Sequence, residues 1–306
     1  MAMITGMSRL LCVRLFALAF TGALITSCGG VPGPLPQQRS VQSAQRAASP
    51  SSSIIPPTPP PPVVAESAIV IDVASGKVLY AKNADKPRPV ASTQKIVTAL
   101  CVLDAGNIDK AVTIKSIDGA CEPTNLYLKP GESYPRRDLL KVLMVKSAND
   151  VARALARDVG GDLVSFASLM NRKSASLGMR NSNFVNPNGL PATNQYSTAR
   201  DMAIAARAAY RSPLIRSFTA TKAFQFRYND GRTRRIENTN HLLKSVPYCD
   251  GLKTGTTNAA GRCLVCSGSL NGRAVIVVVL KSTTPNVWKD SSKLLAWALE
   301  RPASAS

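Results

Sequence analysis

Apolar positions along this chain change rhythm from one region to the next. Residues 68–73 and 77–80 are short β-branched and aromatic runs with Ser75-Gly76 between them, which predicts two strands and their turn. From Ser92 to about Tyr210 the apolar residues recur at helical spacing, interrupted by glycine and proline. The clearest interruption is Asn186-Pro187-Asn188-Gly189-Leu190-Pro191. Strand patterns return at 223–228, 234–237, 251–256, 262–268 and 273–280, and a helical pattern at 288–299 closes the chain. Strands at both ends of a helical middle predict an α+β fold: one antiparallel sheet flanked by helices, in a single domain of residues 66–301 with a short tail at 302–306. A chain of 306 residues, 45% hydrophobic, suits one such domain plus appendages.

The appendages lie at the front. Residues 1–27 carry Arg9, Arg14 and then the apolar run from Leu15 to Ile25, about the length of a signal-peptide core and short of a membrane span. The run ends Leu24-Ile25-Thr26-Ser27-Cys28-Gly29, which resembles a bacterial lipobox. That resemblance implies cleavage before Cys28 and a lipid on its sulfur. Residues 28–65 are rich in Pro, Ser and Gln, including Pro56-Pro57-Thr58-Pro59-Pro60-Pro61-Pro62. Such a composition buries no core and predicts a linker. It reaches on the order of 110 Å as polyproline and roughly 35 Å as flexible coil.

The formal net charge is +20. For an exported chain the natural anionic partners are phospholipid headgroups and wall polymers rather than nucleic acid. Of seven cysteines, Cys12 leaves with the signal and Cys28 is assigned to lipid. Cys101, Cys121, Cys249, Cys263 and Cys266 remain, an odd number, so at least one thiol stays free or pairs between molecules. Cys263 and Cys266 stand three apart in a strand pattern, which sends them to opposite faces of a sheet and reads as core rather than metal or redox chemistry. A single histidine, His241, excludes most imidazole metal sites and argues against a Ser-His-Asp triad. No metal and no cofactor is expected.

Three short strings carry the chemistry: Ser92-Thr93-Gln94-Lys95, Ser147-Ala148-Asn149 and Lys253-Thr254-Gly255. Ser92 stands at the start of a helical pattern, where free N–H groups and the helix dipole favour negative charge. Lys95 is one turn on and shares its face. A lysine in a cleft beside other cations is neutral enough to accept a serine proton. No other serine in the chain is followed three residues later by lysine. Read without the others, Ser92 is a capping serine and Lys95 a surface charge. Ser147 and Asn149 are likewise good helix caps; in the catalytic reading Ser147 relays a proton and Asn149 holds either a substrate amide or Lys95. Lys253, Thr254, Gly255 and Thr256 read as a strand edge offering a cation, a hydroxyl and close backbone approach. The N–H groups of Ser92 and Thr256 are the expected oxyanion-hole donors.

Serine-xx-lysine with Lys-Thr-Gly is the pattern of penicillin-binding proteins and class A β-lactamases. With Val142–Asp150, Asn186–Leu190, Tyr196–Asp201, Asn238-Thr239-Asn240 and Asp250–Gly255, the chain resembles the serine D-Ala-D-Ala carboxypeptidases, the low-molecular-mass penicillin-binding proteins, from about Ala68 to Leu280. The resemblance implies a β-lactamase/transpeptidase-like fold. It implies peptidoglycan stem peptides as substrate, β-lactams as inhibitors and a place in the cell envelope, with the membrane reached through Cys28. By the same resemblance Ser92 is acylated, Lys95 is its base, and Ser147 and Asn149 complete the proton network. Lys253 and Thr254 take the substrate carboxylate, Arg200 assists there, and His241 has no catalytic role. The same machinery serves a D,D-endopeptidase, a β-lactamase or a silent penicillin-binding protein. Against β-lactamase, no glutamate lies between Glu132 and Glu237, and Ala148 stands where class A enzymes usually carry aspartate.

Overall fold

A computed structural model describes residues 58–300. The expected signal, Cys28 and the tail at 302–306 lie outside the described residues.

Strand β1 (Ser67–Asp72) turns through Gly76 into β2 (Val78–Lys82). A 3₁₀ turn at Ala91–Gln94 leads into α1 (Lys95–Asp104). Then come β3 (Ala111–Thr113), β4 (Ser133–Pro135), α2 (Arg136–Val145), α3 (Asn149–Gly160) and α4 (Leu163–Leu177). Helices α5 (Ala199–Tyr210) and α6 (Pro213–Thr219) precede the hairpin β5 (Ala223–Arg227) and β6 (Thr233–Glu237). The single turn α7 (Leu242–Ser245) leads to β7 (Cys249–Thr257), β8 (Gly261–Leu270), β9 (Arg273–Ser282) and α8 (Asn286–Glu300).

The main sheet has five strands in the order β2-β1-β9-β8-β7, all paired antiparallel. Asn271 and Gly272, with φ of 50° and 76°, make the two-residue turn from β8 to β9, a geometry whose twist matches that of the strands. Alternation along the strands divides two cores. Ile69, Ile71, Cys263, Val265, Ile276 and Val278 face α1 to α5, while Val70, Leu264, Cys266, Val275, Val277 and Val279 face Leu294, Leu295 and Ala298 of α8. Cys263 and Cys266 therefore do sit on opposite faces, both buried. Helix α1 is buried all round because it runs through the middle of the larger core.

Two expectations need adjustment. The strands β5 and β6 pair only with each other and never join the main sheet. The stretch taken as helical also holds the small β3–β4 sheet, whose three-residue strands are too short to show a period. The linker boundary moves as well. Val63 and Ala65 are buried in the α8 core, the Val64 and Ala65 N–H groups donate to the Asp290 carboxylate, and Trp297 Nε1 donates to the Thr58 carbonyl. A proline-rich composition conceals this docking because the partner groups lie more than two hundred residues away.

Candidate active site

Ser92 sits in the 3₁₀ turn before α1, at the edge strand β7. Ala91, just before it, takes a left-handed φ of 50°, a conformation that costs an L-residue about 1–2 kcal/mol. The turn is held from both sides by glycines. A Cβ on Gly189 would come within 2.2 Å of the Ala91 carbonyl oxygen, and one on Gly255 within 3.0 Å of the Ser92 nitrogen. Gly255 is thus required by close approach of the protein's own nucleophile turn, not only by substrate. Gln94 ties the same turn to the 186–190 loop, donating to the Asn186 carbonyl.

Lys95 points back at Ser92, its Nζ 2.8 Å from Oγ. It also donates to Asn149 Oδ1 at 2.7 Å and to the Asn188 carbonyl at 2.5 Å. It is fully buried, and burial followed by the nearby charge of Lys253 holds its pKa well below the usual lysine value. A neutral amine has two N–H donors and one lone pair. It can donate to Asn149 and Asn188 while its lone pair accepts the Ser92 proton. Of the two uses foreseen for Asn149, the structure shows the contact with lysine.

Ser147 precedes α3 with a left-handed φ of 68°. The cap of α3 is Ala148, so Ser147 is not spent on capping. Among the described residues its hydroxyl has no hydrogen-bond partner, and it lines the cleft. Asp150 fastens this corner by accepting from the N–H groups of Leu126, Tyr127 and Val151. The Asn149 N–H donates to the Thr124 carbonyl, which brings Thr124 to the rim.

The cleft has a volume of about 380 Å³. Ser92, Ser147, Thr254, Gly255 and Thr256 line it together, joined by Lys146, Thr239, His241, Arg262 and Trp288. The Thr254 and Thr239 hydroxyls lie 2.6 Å apart. Lys253 lies beneath the lining, 1% exposed, its Nζ donating to the Thr254 carbonyl at 3.0 Å. Burial lowers its pKa to about 7.

Arg200 is a correction. It begins α5 and clamps Asp85 through two nitrogens, at 2.6 and 2.9 Å. It lines a separate cavity with Ile69, Arg207 and Arg211, not the cleft. Its resemblance-based role assumed that the strings around it converge, but α5 packs beside β1 and β9. In the opposite direction, His241 does line the cleft, stacked on Trp288 at 4.7 Å between ring centroids. Arg262 was overlooked although the hairpin count places it across from Thr256. The Asn188 carbonyl was illegible because a backbone oxygen carries no residue signature.

A profile of the D-alanyl-D-alanine carboxypeptidase family matches residues 55–284. The chain is 36% identical over 226 residues to the D-alanyl-D-alanine carboxypeptidase DacF of Bacillus subtilis, covering 72% of this chain and 58% of that protein. It is 35% identical over 237 residues to a D-alanyl-D-alanine endopeptidase of Escherichia coli, covering 76% of each. The crystal structure of a D-alanyl-D-alanine carboxypeptidase from Mycobacterium tuberculosis superimposes with a TM-score of 0.78 at 31% identity, covering 82% of this chain and 97% of that one.

Proposed function

The chain belongs to the D-alanyl-D-alanine carboxypeptidase family, and from that premise we propose that it removes the terminal D-alanine of peptidoglycan stem peptides through an acyl-enzyme on Ser92. The observation that carries the reading is the 2.8 Å contact between Ser92 Oγ and a buried Lys95 amine. Lys95 takes the Oγ proton as Oγ attacks the penultimate D-alanine carbonyl. The N–H groups of Ser92 and Thr256 hold the oxyanion. Ser147 passes the proton to the departing nitrogen, D-alanine leaves, and water, activated by the same lysine, frees the shortened peptide. The test is release of D-alanine from a pentapeptide ending D-Ala-D-Ala by the wild type and by Ser92→Ala. Equal release by both overturns the assignment.

A second reading is the endopeptidase, favoured by the Escherichia coli relative. A cross-link offers the same D-alanyl bond with a larger leaving amine, and cross-linked muropeptides in the same assay separate the two.

β-Lactams are expected to acylate Ser92 and stay. D-alanine departs and admits the water that Lys95 activates, whereas the amine of an opened β-lactam stays tethered in the cleft, so its sustained hydrolysis needs a second base poised on water. Among the described residues no Asp or Glu lines the cleft. Three aspartates that follow the second motif are occupied elsewhere: Asp158 by Arg136 and Lys110, Asp162 as the cap of α4, and Asp201 by Asn181 and Ser182. The expected course is a burst of hydrolysis equal to the enzyme present, then a stable adduct. Continuous turnover of benzylpenicillin moves the reading to β-lactamase.

The protein is further proposed to be a lipoprotein of the cell envelope, anchored at Cys28. The support is the lipobox-like string and the linker behind it. Several acyl chains, at about 0.8 kcal/mol per buried CH₂, anchor firmly. Mass spectrometry of the mature protein tests this: an unmodified Cys28 or cleavage elsewhere rules it out.

A further inference from the structure

Recognition of a free C-terminus needs a positive group at the cleft, and the two lysines of the motifs are poorly placed to supply it. Lys95 is fully buried and engaged by Ser92, Asn149 and the Asn188 carbonyl. Lys253 lies beneath the lining with its ammonium turned to the Thr254 carbonyl. Arg262 differs on each count. It opens β8, lies opposite Thr256 in the β7–β8 register, and lines the cleft. One nitrogen, Nη1, donates to the Thr256 hydroxyl at 3.1 Å. No carboxylate pairs with it among the described residues. The cleft it lines also carries the hydroxyls of Thr239, Thr254 and Thr256, and no acidic residue among the described ones.

We propose that Arg262, positioned by the Thr256 hydroxyl, is the cationic anchor for the substrate's free terminal carboxylate, with Thr254 and Thr239 as accompanying donors. The inference rests on the acyl-transfer reading of Ser92 and deepens it. The distances fit. The terminal carboxylate lies one residue past the scissile carbonyl, about 3.8 Å along the chain. Gly255, the neighbour of Thr256, packs directly on the Ser92 nitrogen. A guanidinium stays charged at any working pH and presents a planar fork that suits a carboxylate. The Lys253 ammonium, with a pKa near 7, is only partly charged at neutral pH. The other cation of the lining, Lys146, adjoins Ser147 and is not the partner of the Thr256 hydroxyl, which holds Arg262.

The test compares acylation of Ser92 by benzylpenicillin and by its methyl ester, in the wild type, Arg262→Gln and Arg262→Lys. A charge-assisted contact predicts that the acid-over-ester preference collapses by about tenfold to a hundredfold in Arg262→Gln and returns in part in Arg262→Lys. Thermal melting of each variant separates this loss from unfolding, and the ratio of the two rates is insensitive to the amount of folded protein. An unchanged ratio in Arg262→Gln overturns the proposal. The same three proteins are assayed on a peptide ending D-Ala-D-Ala and on its C-terminal amide. If the wild type cleaves neither while the penicillin ratio collapses as stated, the carboxypeptidase reading fails and the Arg262 assignment stands.

Discussion

The two faces of the main sheet are both covered by helices, yet they are built from different materials. The face under α8 is predominantly apolar: Val70, Leu264, Val277 and Val279 meet Leu294, Leu295 and Ala298. Its main polar group, the Asp290 carboxylate, accepts the N–H groups of Val64 and Ala65. The face toward α1 and α3 is equally buried, but at its β7 edge it encloses Lys95 and Lys253, which Coulomb repulsion sets against each other. Left-handed backbone at Ala91 and Ser147 adds strain there. Hydrophobic burial stabilises the first region. The second spends stability on burying amines whose charged form burial disfavours and on leaving a hydroxyl unpartnered.

That contrast makes substitutions behave in opposite ways. Ser92→Ala should abolish covalent labelling by penicillin, and Lys95→Ala should slow acylation by about 10²–10⁴-fold, with melting temperatures equal to or above the wild type. A marked fall in melting temperature for Lys95→Ala would show that the lysine supports the fold after all. Across the sheet, Leu294→Ala should lose about 2–5 kcal/mol on denaturant unfolding, while acylation per folded molecule is kept. Loss of acylation in the folded fraction would mean that the two faces are coupled.

Lys253→Met should gain about 1–3 kcal/mol while impairing the site. The pH dependence supplies the sign. With a folded pKa near 7, below the ordinary lysine value, the unfolded chain binds the extra proton between those two values. Stability therefore rises with pH from about 7 toward 10 through this group. The slope should shrink in Lys253→Met, and an identical slope removes the depressed lysine from the account. The smallest effect is expected at Asp290→Asn, about 1 kcal/mol, because the amide oxygen still accepts from one of the Val64 and Ala65 N–H groups and only the other loses its acceptor. Limited proteolysis near residue 64 should quicken with it, and no change there means that the docking contributes little.

Period and turn chemistry in the sequence alone determined the α+β class, the two strand regions, the closing helix and the opposite facing of Cys263 and Cys266. These are local properties, readable because strands alternate and helices repeat within a few residues. The catalytic strings were legible for a related reason: Ser92 and Lys95 share one helical turn, so their contact follows from spacing. Tertiary structure decided what distance along the chain conceals. It brought the Asn188 carbonyl to Lys95, put His241 and Trp288 on the cleft wall, carried Arg200 away to Asp85, and folded residues 58–65 onto α8. It also decided the charge on the lysines, since a depressed pKa comes from burial and from a neighbouring ammonium, and both exist only once distant segments have packed.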